Sequence, residues 1–193
     1  MPPDIEQFHH PRSARTPARE ALLAGLTGAV VEIGAGDGGK FRHYPATVTE
    51  ITVVEPDALL CQTAREGCAG SAVPVRIQTG GLDRLPLPGG SADAVVCSLV
   101  LCCAPRLSVT LGEVMRVLRP GGELRFYEHV RSANPFVAFT ERIIGPIWAQ
   151  AAGGCHPARD TVRAIREAGF VIDQVKRLDF DRISHVLGIA RRL

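Results

Sequence analysis

An apolar run that stops abruptly in alternating glycines, Val31-Glu32-Ile33-Gly34-Ala35-Gly36-Asp37-Gly38, restricts this chain more than any other segment. Ala29, Val30, Val31 and Ile33 have the continuous apolar character of a short buried strand, and the glycines break it. Glycine lacks a Cβ, so the backbone turns tightly there and approaches a ligand closely. A second acid, Glu55, ends the next apolar strand, Ile51 to Val54. That spacing suits a carboxylate that accepts hydrogen bonds from ribose hydroxyls. The two features together predict a nucleoside pocket in an α/β fold.

Which nucleoside is bound depends on charge. Gly34, Gly36 and Gly39 also satisfy G-x-G-x-x-G, a weak dinucleotide signal when it stands alone. A pyrophosphate at this turn would sit on the positive end of the following helix, and Glu32, two residues before Gly34, would repel it. S-adenosylmethionine (SAM) instead brings an ammonium and a sulfonium, both cations, and Glu32 favours them. Glu32 could also serve only to cap the loop through backbone N–H groups.

The 193 residues and 46% hydrophobic content suit one domain with a full core. A formal charge of +2 with scattered arginines does not indicate a nucleic-acid surface. The six cysteines, Cys61, Cys68, Cys97, Cys102, Cys103 and Cys155, contain no C-x-x-C pair, so no metal site is expected. Several lie in apolar runs, as free thiols do in a reducing cytoplasm. No signal peptide or run of about 20 apolar residues is visible, so a soluble protein without a stable membrane anchor is expected, as a monomer or homodimer.

Along the chain, residues 1–18 form a Pro- and His-containing arm or lid, and Arg19 to Leu26 a short helix. After the glycine turn, a helix is cut short near Tyr44-Pro45. Pro56 to Glu66 reads as a helix with Pro at its start, and Val73 to Gln78 as a strand. Ala92 to Leu101 is apolar enough for a central parallel strand covered on both faces. Leu107, Leu111, Val114, Met115 and Leu118 recur at helical spacing up to Pro120-Gly121-Gly122, and Leu124 to Val130 is the fifth strand. Val162, Ile165 and Ala168 mark a helix closed by Gly169. Phe170 to Val175 and Ser184 to Ala190 then form two strands joined by a charged loop, Arg177 to Arg182, too short for a crossover and therefore antiparallel. The predicted fold is a Rossmann-like αβα sandwich: a mostly parallel seven-stranded sheet with a C-terminal antiparallel hairpin.

These pieces resemble the class I SAM-dependent methyltransferases over nearly the whole chain. The matching segments are VEIGAGDG (31–38), VEPD (54–57), LPLPGGSADAVVCSLVL (85–101), EVMRVLRPGGELRFYEHV (113–130) and AGF (168–170). Within that family, SLVLCC, YEHV, GGC (153–155) and FRHYP (41–45) are similar to methyltransferase-like proteins that include microsomal alkyl-thiol methyltransferases. Those relatives carry an N-terminal membrane anchor, and none is expected here. Quinone-pathway methyltransferases are also similar.

The resemblance implies SAM as cofactor and S-adenosylhomocysteine as product. It implies that Glu32, Gly34, Ala35, Gly36 and Gly38 line the methionine part, that Glu55 holds the ribose, and that Pro56 and Asp57 flank the adenine. Many relatives place Asp after the residue matching Gly80, where this chain has Gly81. The Leu82 backbone and Asp83 are the alternatives there, although Asp83 also reads as a solvated loop acid. Ser98 and Leu99 fall beside the reacting methyl group. Cys97, Cys102 and Cys103 read as packing residues.

His129, at the carboxyl end of a parallel strand, is either a general base or a tie from strand to loop. His156 is a weaker candidate base, and Arg159 with Asp160 reads as a helix-start cap or ion pair. Ser132 to Gly154 is an apolar insert expected to cap the substrate. Phe41, Tyr44, Phe139 and Trp148 would line a pocket for a small hydrophobic acceptor, with ordinary core packing as the alternative. Sulfur is the favoured acceptor atom, with oxygen or ring carbon also open. An NAD-dependent oxidoreductase and a non-catalytic SAM-binding protein are the rival functions.

Overall fold

A computed structural model describes residues 17–34, 36–151, 154–180 and 183–193. The parallel strands are β1 (Gly28–Ile33), β2 (Val48–Glu55), β3 (Val75–Thr79), β4 (Ala92–Ser98) and β5 (Leu118–His129). The last two, β6 (Val171–Phe180) and β7 (Ile183–Arg191), are antiparallel to each other, and β7 runs antiparallel to β5. The order across the sheet is β3-β2-β1-β4-β5-β7-β6. Chain direction across the sheet reverses between β1 and β4, which opens a crevice at their carboxyl ends. Ile33 pairs with Cys97 there, so the glycine turn and the loop after β4 are neighbours.

Helices α1 (Pro17–Leu23), α2 (Ala58–Gly67), α3 (Leu107–Val117), α4 (Pro135–Ala151) and α5 (Thr161–Glu167) complete the chain. β4 is buried on both faces. Val95 and Cys97 pack with Leu111 and Val114 of α3 and Ile165 of α5, while Val96 packs with Leu22 of α1 and Ala64 of α2. Alternate residues of one strand thus enter opposite layers, which explains why the segment reads as an unbroken apolar run.

Several boundaries differ from the sequence expectations for local reasons. α2 begins at Ala58 rather than Pro56 because the Asp57 carboxylate accepts from the N–H groups of Leu59 (2.7 Å) and Leu60 (3.2 Å). Pro120-Gly121-Gly122 does not end α3 but lies inside β5, where Gly121 and Gly122 exchange backbone hydrogen bonds with Arg192. The expected charged loop after Val175 is largely strand, its ladder running to Phe180↔Ile183. β6 is an edge strand with Lys176 and Arg177 exposed, a position where charge is tolerated and discourages further pairing. The helix expected before Tyr44 is a short 3₁₀ turn, Phe41–His43. The predicted arm lies outside the described residues except for Pro17 and Ala18, which open α1.

Candidate active site

Gly34, Gly36 and Gly38 all adopt positive φ, at 83°, 56° and 75°; Ala35 between them lies outside the described residues. At Gly34 an added Cβ would fall 2.7 Å from Val100 Cγ2, in the loop after β4. The Val100 side chain therefore occupies the space a Cβ would need, a contact that glycine permits. Gly34→Ala combines a left-handed backbone, costing roughly 1–2 kcal/mol, with overpacking, costing roughly 1–3 kcal/mol. Urea unfolding should show a loss of about 2–5 kcal/mol; an unchanged midpoint would mean the turn relaxes freely.

Glu32 is fully buried and does not stand alone. Tyr44 Oη donates to Oε2 at 2.6 Å, and Lys40 Nζ forms an ion pair with Oε1 while donating to the Gly34 carbonyl at 3.2 Å. Burial raises the Glu32 pKa against the opposing pull of Lys40, Tyr44 and Arg19, and burial followed by the Glu32 charge holds the Tyr44 phenol well above its usual range. Lys40 is a site residue the sequence reading missed, because a lysine near a glycine turn ordinarily reads as solvated. Its ammonium offsets much of the negative field expected of Glu32.

Two residues expected to line the acceptor pocket lie in the core instead. Phe41 and Tyr44 are 1% and 6% exposed and belong to the α1/α2 core layer. Phe41 fills the core, and Tyr44 spends its hydroxyl on Glu32. Neither presents a surface to an acceptor.

Glu55 ends β2, buried, with Oε1 accepting from Asp57 N–H at 3.0 Å. Exposed Pro56 stands between them at the entrance to α2. On the neighbouring turn Gly81 bridges to Arg84, and Leu82 packs on the core. Asp83 is not merely a solvated acid. Its Oδ2 accepts two bonds from Arg106, at 2.7 and 3.0 Å, while its Oδ1 is buried with no hydrogen-bond partner among the described residues.

The loop after β4 is shaped by a residue that sequence reading passed over, Glu128. Its buried carboxylate accepts from Val100 and Leu101 N–H through Oε1 (3.1 and 3.0 Å) and from Cys102 N–H through Oε2 (3.1 Å). Burial pushes its pKa up to about 7, with the three N–H groups opposing. Ser98 and Leu99 lead into this loop, and Leu99, with φ 58°, carries left-handed strain of roughly 1–3 kcal/mol. Such strain is typical of a backbone held for a ligand.

His129 follows Glu128 and pairs across the sheet with His185, whose ring tilts against it at 4.6 Å. Its Nδ1 lies 3.1 Å from Cys155 Sγ and 3.7 Å from Cys102 Sγ. Hydrogen bonds with Cys103 and Cys155, followed by burial, hold the Cys102 thiol well above its usual range. At Cys155 the contact with Cys102 lowers the pKa, but the contact with Cys103 and burial prevail and raise it to about 12. His156 is exposed; its N–H donates to the Cys102 carbonyl at 2.9 Å. Asp160 caps α5 by accepting from Arg163 N–H, whereas Arg159 turns away to the Leu101 and Ala104 carbonyls. The Ser132–Gly154 insert is mainly α4, with Phe139 64% exposed. Trp148 lies on the same helix, its side chain outside the described set.

A strand, a glycine turn, an acid after the second strand and an acid-held loop after the fourth define a nucleoside-binding Rossmann-like domain. The methyltransferase domain family matches residues 31–126. A thiol S-methyltransferase of Homo sapiens is 34% identical over 164 residues, covering 80% of this chain and 67% of the relative. A ubiquinone/menaquinone biosynthesis C-methyltransferase of Methylobacterium nodulans is 30% identical, covering 91% and 71%. The fold matches an S-adenosylmethionine-dependent methyltransferase of Mesorhizobium loti with a TM-score of 0.70 at 21% identity, covering 91% and 96%. The chain belongs to the SAM-dependent methyltransferase family, which sets aside the NAD-dependent alternative. It spans about 59–67% of the length of the thiol S-methyltransferases it matches.

Proposed function

We propose that this chain is a cytoplasmic enzyme that moves the methyl group of SAM to the sulfur of a small apolar thiol. The observation that carries the cofactor assignment is the cradle at the crevice. Gly34 approaches the facing loop where a Cβ would collide, and Asp83 Oδ1 is a buried acceptor awaiting a donor. Glu55 would accept from ribose hydroxyls, Asp83 Oδ1 from the adenine amine beside Leu82, and the glycine turn would approach the methionine portion. Pro56 and Asp57 border the adenine end. SAM, when bound, supplies an activated methyl group on a sulfonium. The chain's task is then to align the acceptor and exclude water. Ser98 and Leu99 wall the reacting edge, and α4, with Phe139 and Trp148, covers the acceptor.

The thiol assignment is supported by the 34% identical human relative, named for thiol S-methylation. A thiol needs little help with its proton, since a few per cent is thiolate at pH 7. A base role for His129 would fall to Nε2, because Nδ1 faces the cysteines. The C-methyltransferase relative favours a second reading, transfer to a ring carbon. Among the described residues no helix is long and apolar enough to cross a membrane. The acceptor is proposed to be a free small molecule rather than a nucleic acid.

Calorimetry tests the cofactor site. SAM and S-adenosylhomocysteine should bind, NAD should give no heat, and Glu55→Ala should weaken the adenosyl ligands roughly ten- to hundred-fold. Melting curves guard against loss of fold in the variant. Methylation of hydrophobic thiols, with no turnover of quinone-like phenols, would uphold sulfur as acceptor; the opposite pattern would replace it with carbon.

A further inference from the structure

Three segments far apart in sequence bring thiols and an imidazole to one point. Cys102 and Cys103 come from the 3₁₀ turn after β4, His129 from the end of β5, and Cys155 from the segment between α4 and α5. The ligand atoms of Cys102, His129 and Cys155 lie within 4.8 Å of one another. Cys102 Sγ is 3.8 Å from Cys155 Sγ and 3.7 Å from Cys103 Sγ. Buried free cysteines ordinarily pack singly as small hydrophobes, with no reason to converge on a histidine nitrogen.

The spacing matches a tetrahedral soft-metal centre. With Zn–S bonds of about 2.3 Å and a Zn–N bond of about 2.0 Å, tetrahedral geometry requires sulfurs about 3.8 Å apart and sulfur–nitrogen separations of about 3.5 Å. The sulfur pairs sit at 3.8 and 3.7 Å, and the sulfur–nitrogen pairs bracket the requirement at 3.7 and 3.1 Å. We propose that Cys102, His129 and Cys155 bind a zinc-like metal ion, with Cys103, 3.7 Å from Cys102 in the same turn, swinging in as the fourth ligand. The missing C-x-x-C pattern does not oppose this, because the fold supplies the proximity that sequence spacing usually provides.

The cation enters as each ligating thiol releases its proton to solvent, so filling the site frees up to three protons and leaves three thiolates and one neutral imidazole on the metal. No oxidant or reductant is needed. The site fastens the connection between α4 and α5 to the carboxyl edge of the sheet, where His156 N–H already donates to the Cys102 carbonyl and the Arg159 guanidinium to the Leu101 and Ala104 carbonyls. It would thereby set where α4 rests over the site.

The test uses the whole chain, stripped with chelator and titrated with Zn²⁺ or Co²⁺. One equivalent should bind, with the visible bands of tetrahedral cobalt and a near-ultraviolet thiolate-to-metal band. Cys155→Ser and His129→Ala should abolish this spectrum, Cys103→Ser should reduce the thiolate band, and Cys68→Ser, outside the cluster, should leave it unchanged. Should the first two variants fail to fold, X-ray absorption of the zinc-loaded wild type gives the answer alone, through sulfur scatterers at about 2.3 Å with nitrogen at about 2.0 Å. Binding well below one equivalent, an oxygen- and nitrogen-only shell, or a spectrum that survives Cys155→Ser in a folded protein overturns the proposal. Titration with S-adenosylhomocysteine on the same samples reads the cofactor site separately.

Discussion

Glu128→Ala should lower the melting temperature by roughly 6–12 °C, with far-UV circular dichroism showing a native fold below the transition. The carboxylate is the acceptor for three consecutive backbone N–H groups, those of Val100, Leu101 and Cys102. Each buried donor left without a partner costs at least about 1 kcal/mol, so the loss is about 3 kcal/mol or more. For a domain whose whole stability is on the order of 5–15 kcal/mol, that is a large fraction. Glu128→Gln should fall between the two. Its amide oxygen can serve Val100 and Leu101, but its NH₂ then meets the Cys102 N–H donor to donor. Because the same loop carries Ser98 and strained Leu99 beside the glycine turn, adenosyl-ligand affinity should fall in Glu128→Ala even well below its melting point. A melting temperature within about 2 °C of wild type would mean that water replaces the carboxylate and the loop holds itself.

Glu128 also illustrates what the sequence could not disclose. The backbone demands of the glycine turn were legible because φ beyond +50° at Gly34, Gly36 and Gly38 leaves glycine almost without competitors. The succession of strands along the chain, down to the antiparallel end, followed from apolar runs and short connections. Side-chain direction is another matter. Phe41 and Tyr44 look alike as core or pocket residues until the 3₁₀ turn fixes which way they face. Pro120 and two glycines read as a helix stop, yet they join β5 because Arg192, over 70 residues later, supplies their partners. Buried charge is least legible of all. Lys40 and Glu128 each depend on a partner brought near only by folding, and the thiol cluster unites residues 102, 129 and 155 in the same way.

Lys40→Met should cost about 3–5 kcal/mol near neutral pH, because it leaves the fully buried Glu32 carboxylate without its cation. Glu32→Gln should be damaging for the converse reason, since Lys40 is itself buried. The double variant, Glu32→Gln with Lys40→Met, should cost clearly less than the sum of the two, and the shortfall measures the coupling of the pair. The pH dependence has a definite sign. Burial already raises the Glu32 pKa above that of the unfolded chain, and Lys40 opposes the rise. Without Lys40 the folded-state pKa climbs further, so the folded variant holds a proton that the unfolded chain has lost above about pH 4.3. The penalty of Lys40→Met is therefore smallest near pH 5 and grows toward pH 8. Denaturant melts across that range decide the matter: a penalty independent of pH would mean that lost packing of the lysine stem, not charge, dominates. SAM provides the final discrimination. If Glu32 also faces the methionine ammonium, SAM should raise the melting temperature of Lys40→Met more than that of wild type; an equal shift would confine Glu32 to the internal pair with Lys40 and Tyr44.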